Sequence, residues 1–148
     1  MTGKLHSGFT LLEALVALAV LAVGALGLLS LASASTRSQQ EALLRLRAVA
    51  AVDDLAGRVR ANPAGLAAYA GPAAEGGCRS GPSPAAICEP GEMAADDLSE
   101  WRVRHIASLP GGSAAVVYGT DDDRPTLNVR IRWQFRGQWH VTDRQVVP

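Results

Sequence analysis

Net charge is the first thing missing: 14 Lys and Arg residues balance 14 Asp and Glu residues in a chain of 148. DNA and RNA binders usually carry a basic excess, so nucleic acid is not an expected partner. Cysteine is nearly absent, and Cys78 and Cys88 are too far apart for a CxxC redox pair. Histidine is also scarce and does not cluster beside them, which leaves little support for a metal pair. No Ser/His/Asp or Cys/His triad, P-loop or Rossmann fingerprint occurs, so neither an enzyme nor a cofactor is expected. Asp121, Asp122 and Asp123 are consecutive, without the spacing of an EF-hand loop, so Ca²⁺ is not expected either. No proline interrupts the chain before Pro63.

The most informative absence is local. No charged residue lies between Glu13 and Arg37. Wound as helix, Ala14 to Thr36 would reach roughly 34 Å at about 1.5 Å per residue, which matches a hydrocarbon core of about 30 Å. A small soluble domain rarely buries a helix that is apolar all round, so a membrane span is expected. Lys4 precedes it and Arg37, Arg45 and Arg47 follow it, a count that does not fix orientation. A secretory signal would be shorter and would place its small-residue cleavage site after the apolar run. Here the small polar stretch, His6-Ser7-Gly8, comes before it. A protease acting there leaves the span on the mature protein.

That arrangement, Ser7-Gly8-Phe9-Thr10-Leu11-Leu12-Glu13 followed by an apolar run, resembles the processing motif of type IV prepilins and pseudopilins. Those proteins have a short basic leader ending in Gly, then an apolar helix opening with Phe or Met and carrying Glu as its fifth residue. The resemblance implies cleavage by prepilin peptidase between Gly8 and Phe9, N-methylation of Phe9, and packing of the helix into a filament core. It also gives Glu13 a role. An ionisable side chain in a span is costly and marks a functional site by default. In a helix bundle withdrawn from lipid, Glu13 would accept the free amine of a neighbour's Phe9, each charge compensating the other. The plainer alternative is that Glu13 snorkels to the interface.

Past the span, high helix propensity continues to Asn62-Pro63, where the residue before proline leaves the helical region. One helix from Phe9 to Ala61 would be roughly 80 Å long. Leu43, Leu46, Ala50, Val52, Ala56 and Val59 suggest its apolar arc, with Arg47, Asp54 and Arg58 on one polar face and Asp54–Arg58 a favourable i,i+4 pair. The Gly/Pro-rich stretch from Gly71 to Glu92 reads as loop. In a periplasmic head, Cys78 and Cys88 are expected to form a disulfide. Asp97 and Glu100 imitate a capping box for a helix carrying Leu98, Trp101, His105, Ile106 and Leu109, stopped by Pro110-Gly111-Gly112. His105 beside that stripe reads as structural. Strands are expected at Ala114–Gly119, Thr126–Phe135 and Gln138–Val147, the last two joined by a tight turn at Arg136-Gly137.

Arg58–Gly71, Asp96–Gly112 and Leu127–Trp133 resemble type IV pilus modification proteins of the PilV type, a group of minor pilins. Major pilins usually carry their disulfide near the C-terminus, and the mid-chain cysteines here depart from that pattern. The resemblance implies an α+β type IV pilin-like fold: a long N-terminal helix on a small antiparallel sheet. It implies a leader over residues 1–8, a transmembrane and filament-core helix over 9–36, and a periplasmic head over 37–148. The chain would start in the inner membrane, in contact with lipid, and end in the pilus. Its implied partners are prepilin peptidase, other minor and major pilins through the N-terminal helix, and the inner-membrane assembly machinery. A minor pseudopilin of a type II secretion system is the alternative.

Overall fold

The computed structural model describes residues 10–71, 78 and 88–148. It divides into two units, one up to Gln40 and one from Glu41 to Pro148. The fold is α+β and pilin-like. The long N-terminal helix α1 (Leu11–Ala61) contributes its later turns to the core of a three-stranded antiparallel sheet.

In the first unit α1 buries nothing. Its large apolar side chains, from Leu11 to Leu31, are all more than half exposed. In the second unit the same helix buries Leu44, Ala48, Ala51, Val52, Leu55 and Val59. Apart from the adjacent pair Ala51 and Val52, these fall three or four residues apart, the spacing that keeps one stripe of a helix facing inward. This corrects the phase expected from sequence. Leu43 and Leu46 are 49% and 66% exposed, whereas Ala48 and Ala51 are fully buried. The small alanines admit a large neighbour: Trp101 is fully buried, and its Nε1 donates to the Ala51 carbonyl at 2.7 Å.

After α1, Pro63–Ala70 forms a 3-10 helix. Asn62 Nδ2 donates to the Pro90 carbonyl at 2.8 Å, tying the end of α1 to the start of α2 (Pro90–Trp101). Gly65 fits under this bond because it has no side chain; a Cβ there would lie 2.5 Å from both Asn62 Nδ2 and the Pro90 oxygen. The capping box expected at Asp97 and Glu100 is not where α2 begins. It is formed by Glu89 and Glu92, with the Glu89 N–H donating to Glu92 Oε2 at 3.3 Å and Pro90 at the first helical position. Proline is favoured there because its missing N–H has no intrahelical partner to lose. Asp97 and Glu100 lie inside the helix. Arg102–Ile106 continues it as a π-helical turn. Gly112 closes the stop, since a Cβ there would meet the Ile106 oxygen at 2.3 Å.

The sheet is a meander, β1 (Ser113–Asp121), β2 (Arg124–Phe135) and β3 (Gln138–Val146), in that order. Arg136-Gly137 makes the expected tight turn. Asp122-Asp123 makes a second one, a two-residue hairpin connection between β1 and β2. Both residues of each turn have positive φ, as type I′ turns require. Alternation in β2 buries Leu127, Val129, Ile131 and Trp133 and leaves Arg130 and Arg132 outside. Those two are occupied: Arg130 donates to Asp143 at 2.6 Å, and the Arg132 guanidinium sits 5.0 Å from the centre of the Trp139 ring. On the inner side His140 stacks on Trp133, ring centres 5.6 Å apart, with Nδ1 3.9 Å from Glu41 of α1.

Candidate functional site: the N-terminal helix

Gly8 and Phe9, the expected cleavage and methylation positions, lie outside the described residues, as does the expected leader. The site that can be built begins at Thr10. Its carbonyl accepts from the N–H groups of Glu13 and Ala14 at 3.1 and 3.2 Å, and its Oγ1 accepts from the Glu13 N–H at 3.3 Å. Thr10 therefore caps α1, and Thr10-Leu11-Leu12-Glu13 has the Ser/Thr-x-x-Glu spacing of a capping box. That signal is present in the sequence and is obscured there by the more conspicuous fact of an acid in an apolar run. Glu13 occupies the third helical position with its side chain exposed. A negative charge in the first turn is favoured by the partial positive charge of the unpaired N–H groups. The first turn of α1 thus suits a carboxylate before any partner arrives.

From Ala14 to Thr36 the helix has no charge. A stretch of 18 residues within it reaches a mean hydropathy of 2.6, and none of it is buried by the other described residues. A contiguous exposed apolar surface of this size implies a membrane or a protein interface. Two of the hydroxyls toward its end donate within the helix itself. Ser33 Oγ donates to the Ser30 carbonyl at 2.8 Å and Thr36 Oγ1 to the Ala32 carbonyl at 3.0 Å. An unpaired hydroxyl in an apolar medium costs a few kcal/mol, so this local bonding makes the segment compatible with lipid.

Within the head, Cys78 and Cys88 are joined as a disulfide with Cα atoms 5.6 Å apart. The most connected polar group is one that the sequence shows only in part. Arg58 is bonded to Asp54 at 2.9 Å, as its i,i+4 spacing implies, and also to Asp97 at 2.8 Å and Glu100 at 3.4 Å on α2. Tyr69 Oη donates to Asp97 Oδ2 at 2.7 Å. Burial disfavours the Arg58 charge, but bonding and attraction to Asp54 and then Asp97 outweigh it and raise its pKa. Burial, followed by the bond to Asp97, pushes the Tyr69 hydroxyl well above its usual range. His105 Nε2 lies 3.3 Å from Asp54 Oδ2 at an angle that makes no hydrogen bond. This cluster fastens α1, the 3-10 helix and α2 together. Among the described residues no group of three or more His, Cys, Asp or Glu side chains is placed to hold a metal ion.

Residues 3–29 match the family model described as the prokaryotic N-terminal methylation motif. No curated protein and no solved structure matches the chain. The matched segment spans the expected junction, the Thr10 cap, Glu13 and most of the exposed apolar helix. It supports a type IV pilin-like protein: a pilin or pseudopilin that is a substrate of prepilin peptidase and is anchored in the membrane by α1.

Proposed function

We propose that the protein is a minor pilin of the PilV type, a structural, non-catalytic subunit of a type IV pilus. In this reading prepilin peptidase cleaves between Gly8 and Phe9 and the new Phe9 amine is methylated. The chain waits in the inner membrane as a single pass with its head in the periplasm. Glu13 then receives a neighbouring subunit's Phe9 amine as α1 leaves lipid for the filament core. The observation that carries the reading is the continuity of the methylation motif with an uncharged helical stretch that no other described residue covers. The Cys78–Cys88 disulfide supports an oxidising compartment for the head, since such bonds persist in the periplasm and are rare in the cytosol.

The test is the mass and N-terminal sequence of protein recovered from the membrane of the native host. The expected mature chain begins with N-methylated Phe9. A chain that keeps residues 1–8 overturns the proposal. Recovery of the processed protein with a secretion complex, and its absence from sheared pili, would replace the pilus reading with that of a minor pseudopilin.

A further inference from the structure

The sheet has two edges, and they are defended differently. An edge strand presents a row of unpaired N–H and C=O groups, which proteins usually blunt with charge, proline or a bulge. β3 carries Asp143 and Arg144, and its His140 approaches Glu41 of α1. β1 carries a single charge, Asp121, at its far end. Ser113–Thr120 contains no charged residue and no proline, and its pairing with β2 runs unbroken from Ser113↔Arg132 to Asp121↔Arg124. Its other side has no strand neighbour and no backbone hydrogen bond outside the ladder among the described residues.

A groove of about 390 Å³ opens at the start of this edge, lined by Arg102, Val103, Ile106, Ala107, Ser113 and Ala114. Val103, beside the groove, is 73% exposed. Arg102 Nε is buried without a hydrogen-bond partner among the described residues, whereas Arg58, Arg104 and Arg130 each hold a carboxylate. Both residues belong to the π-helical turn, an irregularity that is often found at functional sites. An open edge, an apolar groove beside it and an arginine that holds no carboxylate thus meet in one place.

We propose that the β1 edge binds an extended peptide segment by strand addition, an apolar side chain of the segment entering the groove at Val103 and Ala107 and a carboxylate of it meeting Arg102. In this mode the main-chain bonds provide affinity and pockets for alternate side chains provide selectivity. The ligand class follows from the chemistry on display. Ser113–Thr120 offers amides and carbonyls to any extended chain, and the groove favours an aliphatic residue. Arg102 favours Asp or Glu because a guanidinium has donors only. The proposal concerns the head surface alone and stands whether the subunit enters a pilus or a secretion pseudopilus.

The experiment uses the full chain in detergent micelles, isotope-labelled, titrated with a capped octapeptide of alternating valine and threonine carrying one central glutamate. Two controls are the same peptide with glutamine, and one with alternate backbone amides methylated. Saturable binding is expected, with new hydrogen-exchange protection at alternate β1 amides. The glutamine peptide should bind about tenfold more weakly, the scale of one hydrogen bond to a charged group. The methylated peptide should not bind. Arg102→Gln should bind both unmethylated peptides equally, and Val103→Asp, at an exposed position that leaves the fold intact, should lose most of the affinity. No saturable binding up to millimolar peptide overturns the proposal, as does equal binding of the methylated control. Protection of alternate β1 amides in the free chain also overturns it. If that protection is independent of concentration, the chain covers its own edge; if it grows with concentration, a second copy is the occupant.

Discussion

One helix, two environments: up to Gln40 α1 buries no residue, and from Leu44 to Val59 it buries six. The two stretches share helix propensity and are both rich in Ala, Leu and Val, so composition alone does not separate them. What separates them is the placement of charge. The second stretch alternates an inward stripe with Glu41, Arg45, Arg47, Asp54 and Arg58, and the chain itself supplies the surface that the stripe covers. The first has only Glu13 and Arg37, one near each end, and no described residue covers the stretch between them. The lesson is that the second stretch is a folding element and the first an interaction element. Truncations of similar size should therefore act on different observables in the two.

The largest effect is expected where the second stretch meets α2. Trp101→Ala removes a fully buried ring and the bond to Ala51, and such truncations typically cost ~3–5 kcal/mol. Thermal melting of the head, followed by near-ultraviolet circular dichroism, should shift down by about 15 °C or more. Leu21→Ala, in the exposed stretch, should leave that melt unchanged. A comparable shift from Leu21→Ala would erase the distinction between the two stretches.

The next effect belongs to assembly alone. Glu13→Val removes a charge from the span, so the chain should insert at least as well and should still be cleaved, since Gly8 and Phe9 are intact. Filament entry should fail, because a neighbour's buried amine left without its acid costs ~3–5 kcal/mol. Glu13→Asp should be partly impaired, with the carboxylate one methylene shorter. The ratio of processed protein in sheared pili to that in membranes measures this. Equal incorporation of Glu13→Val would make the acid no more than the helix-capping residue that Thr10 suggests.

Within the head the comparison can be sharpened at Arg58. Arg58→Met keeps most of the stem but leaves Asp54, Asp97 and Glu100 facing one another without their shared cation. The Arg58 side chain is 16% exposed, so solvent relieves part of the repulsion and a loss of about 2–3 kcal/mol is expected from urea midpoints. Replacing Cys78 and Cys88 together with serine should cost about 2–3 kcal/mol by releasing a short loop, again without affecting cleavage.

How much of this was legible in the sequence follows the range of the forces involved. The span could be read because absence of charge is a property of the segment itself. The β2–β3 hairpin could be read because the alternation of Leu127–Phe135 and the Arg136-Gly137 turn are both local. The start of α2 at Pro90 was hidden because Glu-Pro-Gly-Glu is equally a loop signal until the two glutamates are seen to cap one another. The phase of the α1 stripe was hidden because Ala48 and Ala51 are no more apolar than Ala50; only the arrival of Trp101 from 50 residues away selects them. The Arg58 cluster was half visible. The Asp54 contact is written in a spacing of four, whereas the bonds to Asp97 and Glu100 span 39 and 42 residues, and no local pattern encodes them. The candidate site is the more legible part because motif and span are contiguous, although the Thr10 cap within it is obscured by the acid three residues on.

The smallest predicted effect tests that cluster through pH. Tyr69 is fully buried and its hydroxyl donates to Asp97, so the folded state holds the phenolic proton above its ordinary value of 10.0. The unfolded chain releases that proton near pH 10, as free tyrosine does. Below that pH both states are protonated and the stabilisation is complete. As pH rises past 10 only the unfolded state ionises, and stability falls by up to about 1.4 kcal/mol per pH unit until the folded hydroxyl also titrates. The shift of Arg58 acts in the same direction, but its window lies higher. Tyr69→Phe should lose about 1–2 kcal/mol at neutral pH, the worth of a hydrogen bond to a carboxylate. It should then show a shallower decline than wild type between pH 9.5 and 11. Urea midpoints across that range measure both effects. Parallel curves for the two proteins would mean that Asp97 is held by Arg58 alone and that Tyr69 contributes only its ring.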